Sequence, residues 1–279
     1  MIKPWPILST RFSDLVNRAH QMVTRTHDAL LPELCVACLG PDADWGLCQG
    51  CRKDLPNNDR CCLRCGLPLP LMRNGQSQTC GQCLEHQPDY CQALIPWRYE
   101  LPVDRMIGRY KYQGQRQYAR PLLHDMAVEA AMVLDQYPER RPELLIAAPM
   151  HRKRQRKRGF NQAAEIAEAI SRQTGIPWTD RLIQRTRKAR PQSGLDRRQR
   201  LTNLKGLFEI QGRVPAQVAL IDDVVTTGAT AGTLATLLRR HGAQRVEIWA
   251  LARTPAAGGS SDQPFPDVAG DGEARRQPG

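Results

Sequence analysis

Eight cysteines between residues 35 and 83 fall into four Cys-x2-Cys pairs: Cys35 with Cys38, Cys48 with Cys51, Cys62 with Cys65, and Cys80 with Cys83. Nothing else constrains the chain as tightly. Two thiolates three positions apart on a tight turn can point at one ion, and two such knuckles complete a tetrahedron of sulfurs about 2.3 Å from zinc. Four knuckles make two closed sites, and a closed site has no open coordination position, so its role is structural. Redox pairs are the competing reading, but four of them in a segment without strand-helix units fit it poorly. The spacing leaves open whether the knuckles pair sequentially, as in consecutive zinc ribbons, or interleave. Residues 31–92 are rich in Cys, Pro, Gly and Asn with almost no periodicity; such a segment cannot build much apolar core, so its order must come from elsewhere. Cys61 and Cys91 are left over. Cys61 could compete with Cys62 as a ligand, and Cys91 is expected to be a small buried residue.

From about residue 93 the pattern changes. "DYCQALIPWRYE", "LLIAAPM", "VALIDD" and "VEIWALA" read as strands, and "ARPLLHDMAVEAAMVLDQY", "NQAAEIAEAISRQTG" and "ATAGTLATLLRRHGA" as helices, the last two ending at Gly175 and Gly242. Alternation of this length implies right-handed crossovers and an α/β fold with a parallel sheet flanked by helices. At 279 residues the chain holds one medium domain with a sizeable core plus a smaller module. The expected division is a helical extension over 1–30, with Phe12, Leu15, Val16, Ala19, Met22 and Val23 on one face, the cysteine module over 31–92, the α/β domain over 93–255, and a disordered Gly, Pro, Ser and Asp-rich tail over 256–279.

One strand ends unusually. In "LIDDVVTTGAT" a buried run delivers Asp222 and Asp223 to the C-terminal edge of the sheet, where ligands bind in open α/β folds. Adjacent carboxylates repel, so a positive or hydrogen-donating group should meet them. The segment Thr226, Thr227, Gly228, Ala229 and Thr230 then turns into a helix, whose start offers free N–H groups and a positive dipole end. Gly228 lets the backbone approach closely and the threonines add hydroxyl donors. This is a phosphate cradle beside a pair of acids able to bind a diol, and a ribose 5-phosphate fits both demands. A Walker loop is excluded because no Gly-Lys-Thr/Ser ending is present. Helix capping by the acids is the bland alternative, and it leaves the second aspartate and the three threonines unexplained.

The charge balance points the same way. Forty Lys and Arg against twenty-eight Asp and Glu leave a formal charge of +12, which favours anionic partners. "HRKRQRKR" over 151–158 packs six cations into eight positions directly after an apolar strand. Three readings stay open for it: a pyrophosphate clamp, a nucleic-acid backbone patch, and a solvated charge run. A second positive segment follows with Arg185, Arg187, Lys188, Arg190, Arg197, Arg198, Arg200 and Lys205. Aromatics make up only 5% of the chain, so phosphate contact is better supported than base stacking. No apolar run approaches the roughly 18 residues of a membrane span, and the N-terminal apolar core is too short for a signal peptide. A cytoplasmic protein is therefore expected, and in that reducing compartment the cysteines would bind metal or stay free.

The stretches "YKYQGQ" (110–115), "APMHRKRQRKRGFNQA" (148–163), "RPQSGLDRRQRLTNLKGLF" (190–208) and "IDDVVTTGAT", joined to cysteine knuckles, resemble the ComF family, that is, competence protein F and the related GntX proteins. The resemblance covers roughly 31–254. It implies a double zinc ribbon ahead of a type I phosphoribosyltransferase domain that binds 5-phosphoribosyl 1-pyrophosphate (PRPP) with Mg²⁺. It implies that Asp222 and Asp223 hold the ribose hydroxyls, Thr226 to Thr230 the 5-phosphate, and the loop around Pro149 to Arg152 the pyrophosphate. Met150, His151, Arg152, Lys153, Arg154, Arg156 and Arg158 become the candidates for pyrophosphate or DNA contact. It further implies a place in DNA uptake, with single-stranded DNA and competence-machinery proteins as partners. Residues 1–30, Cys61, Cys91 and Ala189 depart from the pattern. Whether PRPP is turned over by a transferase or only sensed by a DNA- or protein-binding adaptor stays open, because fold does not decide function.

Overall fold

The computed structural model describes residues 33–69, 79–185 and 207–256. The expected helix in 1–30, the second basic segment beyond Arg185 and the tail beyond Ala256 lie outside the described residues. Two short helices, α1 (Gln49–Lys53) and α2 (Gly81–Glu85), belong to the cysteine segment. Then follow β1 (Gln92–Leu94), β2 (Trp97–Arg98), α3 (Val103–Gln113), α4 (Arg120–Gln136), β3 (Leu144–Ala147), α5 (Arg152–Arg158), α6 (Gln162–Thr174) and β4 (Trp178–Thr179). After β5 (Ile183–Arg185) and β6 (Phe208–Ile210), which form a separate antiparallel pair, come β7 (Gln217–Val225), α7 (Ala229–Arg240) and β8 (Arg245–Arg253).

The main sheet runs β1-β8-β7-β3-β4, with β2 also on β8, and every pairing in it is parallel. Central strands buried on both faces must be apolar throughout, and Val218 to Ile221 and Val246 to Ala252 are, apart from Glu247. Glu247 is 2% exposed and is held by Arg140, Arg245 and the Trp249 indole, which satisfies its charge.

The three helices expected from sequence lie within a residue or a few of their predicted bounds. In α4, Leu122, Met126, Ala130 and Leu134 return every four positions to the core. Helix α6 begins where the Asn161 side chain accepts from the Ala163 N–H and ends at Gly175 in the left-handed region. Helix α3 went unread in the sequence although Val103, Met106, Ile107 and Tyr110 carry its spacing.

The run "DYCQALIPWRYE" is two strands rather than one. Pro96 has no N–H to give to a ladder, and the break is filled by the cysteine segment. The Asn58 N–H donates to Pro96 O at 2.7 Å, its side chain donates to Ile95 O and Gly66 O, and Arg98 N donates to Pro56 O. Ala93 N likewise donates to Leu63 O. The cysteine segment thereby closes the exposed edge of the sheet, and its buried cysteines join one continuous core with the strands.

Candidate functional site

The site originates in unequal strand lengths. Strand β3 leaves β7 after the pair Ala147–Ile221, whereas β7 stays paired to β8 as far as Val225–Arg253. Asp222 is therefore the first β7 residue with β3 no longer beside it. The crossover from β3 to β4 runs one way along the sheet and that from β7 to β8 runs the other. Right-handed crossovers in opposite directions place α6 and α7 on opposite faces, so β3 and β7 meet at a switch point, the place where open α/β sheets carry a ligand crevice at their carboxyl ends. Asp222 and Asp223 lie toward the carboxyl end of β7, and the 148–151 segment follows the carboxyl end of the neighbouring β3.

The two acids are relieved differently. Lys111 of α3 meets Asp223 at 2.9 Å, with both side chains at most 15% exposed. Asp222 accepts the Asp223 N–H at 2.8 Å. Burial, then the neighbouring charge of Asp223, push the Asp222 carboxyl up to about 7. The positive or donating groups that adjacent acids demand are thus a lysine and a backbone amide. Lys111 is the functional residue that sequence reasoning missed, although it stands inside "YKYQGQ".

Beyond Val225 the chain turns through exposed Thr226 and Thr227 into Gly228, which has φ +75° and precedes α7. Only glycine adopts that conformation without strain. No side chain caps α7 apart from Thr227 Oγ1, which accepts from Ala229 N at 3.4 Å, so neither aspartate serves as its cap. The helix presents its amide end and Thr230 to solvent. Tyr90, buried at 6% exposure, has its hydroxyl 3.6 Å from where a β-carbon on Gly228 would lie.

Of the basic run, Met150 and His151 lie in the segment after β3, and 152–158 form α5. Arg154 and Arg156 are exposed. Arg158 lies over the Tyr112 ring at 5.1 Å and donates to Gln162. The side chains of Arg152 and Lys153 lie outside the described residues. The motifs on either side interlock: the buried Tyr110 hydroxyl donates to Glu165 at 2.7 Å, Arg116 donates to the same carboxylate, and Phe160 packs against both Tyr110 and Arg116. Asn161 donates to Ala148 O at 3.2 Å. "YKYQGQ" and "RGFNQ" thus brace each other, the first reaching Asp223 through Lys111 and the second the end of β3 through Asn161. Burial and the like charge of Arg154 lower Arg185, which puts the start of the second basic segment within electrostatic reach of α5.

The eight knuckle cysteines form sequential tetrads, Cys35/Cys38/Cys48/Cys51 and Cys62/Cys65/Cys80/Cys83, with the sulfurs of each within 4.8 Å of one another. Cys38 and Cys48 sulfurs are 3.8 Å apart and those of Cys65 and Cys80 are 3.6 Å apart. Zinc bonds of 2.3 Å require a tetrahedron edge of about 3.8 Å, so both donor sets fit a structural zinc. Burial pushes the Cys62 thiol up, but backbone N–H donors at Cys80, Cys65 and Arg64 outweigh it and bring it to about 7. Cys61 stands outside both tetrads, and burial raises it to about 11. Cys91 is exposed, contrary to expectation: it precedes β1, and the contact of the cysteine segment with that strand is made at Ala93, whose N–H donates to Leu63 O; the Cys91 sulfur donates to Val246 O.

The comparisons bear on the cysteine tetrads and on the family. The family model for the double zinc ribbon domain matches residues 26–84. Competence protein F of Haemophilus influenzae is 32% identical over 225 residues, covering 78% of this chain and 96% of that protein. DNA utilization protein YhgH of Escherichia coli strain K12 is 30% identical over 80% of this chain and 98% of its own. Competence protein ComFC of Streptococcus pneumoniae is 26% identical over 71% and 91%. Among solved structures, a purine phosphoribosyltransferase from Pyrococcus horikoshii Ot3 aligns with 51% of this chain and 94% of its own at 16% identity and a TM-score of 0.30. No helix among the described residues is long and apolar enough to cross a membrane.

Proposed function

The chain belongs to the family of competence protein F and DNA utilization protein YhgH, and from that premise we propose that it binds PRPP with Mg²⁺ between β3 and β7 and acts in the cytoplasm on imported single-stranded DNA. The observation that carries the ligand is the juxtaposition, beside the sheet's switch point, of the Asp222–Asp223 pair near the end of β7 with the glycine-led start of α7 a few residues on. The acids accept the ribose hydroxyls. The helix amides, with the hydroxyls of Thr226, Thr227 and Thr230, take the 5-phosphate. The loop after β3, around 149–152, holds the pyrophosphate. Carboxylate oxygens are donors suited to Mg²⁺, which when bound neutralises the leaving pyrophosphate. Lys111, 2.9 Å from Asp223, holds that side chain in place until a ligand enters.

The DNA reading rests on the adjoining face. Exposed Arg154 and Arg156 offer phosphate contacts, and Tyr112, 76% exposed beneath Arg158, offers a ring on which a base can stack. Competence-machinery proteins are the further partners that the relatives' names suggest.

Titration calorimetry with PRPP and Mg²⁺ on wild type and on the Asp222→Asn, Asp223→Asn double variant tests the ligand. Loss of binding with an unchanged circular dichroism spectrum is the expected result, and equal affinity would sink the assignment. Labelled PRPP offered with a panel of nucleobases separates the two modes: acceptor-dependent pyrophosphate release marks a transferase, binding without release an adaptor.

A further inference from the structure

Arg253, the last residue of β8, is buried at 5% exposure. Its acceptors are all backbone carbonyls or the Thr254 hydroxyl: Cys65 O at 3.2 Å from Nε, and Val225 O at 3.2 Å, Thr226 O, Thr254 O at 2.8 Å and Thr254 Oγ1 at 3.3 Å from Nη1. A buried guanidinium without a carboxylate is costly unless other negative charge lies near. Four thiolates around one Zn²⁺ leave a net charge of about −2, and Cys65 belongs to such a tetrad. One planar group therefore faces two ways, toward the second metal site and toward the residues that open the phosphate loop. Tyr90 makes a second link, being buried beside Gly228.

Among the described residues the first tetrad shows no such connection. Its neighbours are on α4: Trp45 stacks on His124 at 4.2 Å, Arg52 pairs with Asp125, and Arg120 pairs with Glu33.

We propose that Arg253 is a positioning residue that couples the second cysteine tetrad to the loop Thr226–Thr230, so that zinc at Cys62, Cys65, Cys80 and Cys83, and not at the first tetrad, sets the loop's binding-competent shape. The inference rests on the reading of that loop as the phosphate site. Thiolates kept deprotonated by bound zinc would supply the negative cluster and hold the Cys65 carbonyl in place; without the metal the guanidinium would lose both, and the Val225 and Thr226 carbonyls would lose their common donor. Coupling of this kind is reciprocal, so a ligand in the loop must slow zinc loss from the second tetrad.

Hydrogen exchange of the 224–232 peptide in the full zinc-loaded chain tests the coupling directly. In Arg253→Met, with two zinc ions still bound, loop exchange should rise about tenfold, as expected when charge-assisted hydrogen bonds are removed; unchanged exchange overturns the proposal. Should that variant fail to fold, Arg253→Lys keeps the charge but not the fork, and the wild type itself, compared before and after chelation, reports the same coupling. Loop exchange indifferent to zinc overturns it. PRPP should slow the release of one zinc in wild type and in Cys38→Ser, which dismantles only the first tetrad, and should not slow it in Arg253→Met. Failure of PRPP to bind wild type, with loop exchange still responding to Arg253→Met, would defeat the ligand reading and leave the brace standing.

Discussion

The two cysteine tetrads have the same knuckle spacing and different surroundings. In the first, Cys35 is buried, Cys48 and Cys51 are half-buried and Cys38 is exposed; in the second, all four ligands are 8% exposed or less. The first rests on α4 through partly exposed ion pairs, worth about 1 kcal/mol each at most, and one aromatic stack, worth about 0.5–1.5 kcal/mol. The second is hydrogen-bonded into the break between β1 and β2 and into the turn after β7. A metal site at a surface clamps what is already folded, whereas one sewn into a sheet edge becomes part of the core it completes.

The sharpest way to break this contrast is to remove one ligand from each site. Structural zinc contributes on the order of 10 kcal/mol, comparable to a whole domain's stability, so Cys83→Ser should unfold the β1–β2 edge and abolish PRPP binding. Cys38→Ser should lose one zinc by metal analysis while keeping the sheet's cooperative melt and its ligand affinity; loss of affinity in both variants would erase the distinction.

A matched glycine pair gives the next effect. Gly66 has φ +69°, and a β-carbon there would meet Ile95 Cδ1 at 2.7 Å; Gly46 has φ +90°, and its nearest contact would be Pro121 at 3.4 Å. Alanine at Gly46 pays backbone strain alone, about 1 kcal/mol, whereas at Gly66 it adds overpacking for a total of roughly 2–4 kcal/mol. Chemical denaturation of the two variants decides, and equal losses would show that Ile95 yields.

Smaller still is the pH response of the acids that the second tetrad's loop adjoins. The Asp222 carboxyl is held above its unfolded value, at about 7. The folded chain therefore binds that proton more tightly. The stabilisation is complete below about pH 4 and is lost as pH rises through 7, on the order of 1 kcal/mol between pH 6 and 8. Asp222→Asn should remove this part of the slope in a pH series of melts, and a slope equal to wild type would refute the raised value. Smallest is Arg52→Ala at the first tetrad's interface, where about 0.5–1 kcal/mol and no change in PRPP affinity are expected. Any shift in affinity there would mean that the first site, too, reaches the crevice.

Much of this was legible beforehand for a physical reason. Knuckle spacing, apolar runs and four-residue periodicity in α4, α6 and α7 are local signals, set by how far a short segment can reach. What escaped were features that depend on a distant partner: α3, polar on balance and packed through Val103, Met106, Ile107 and Tyr110; the break at Pro96; the exposed Cys91; and Lys111, whose Asp223 partner is far along the chain.

The sequence by itself determined that two tetrahedral thiolate sites precede a parallel α/β sheet, and that two acids and a glycine-threonine turn share one strand end, because bond lengths and helix and strand periods leave few other outcomes. Tertiary structure alone decided which knuckles share an ion and which lysine answers the acids. It also decided that the second tetrad, through the Arg253 guanidinium, touches the loop beside them. Those choices turn on which surfaces close the sheet's edge and its switch point, and no local stretch of residues contains that information.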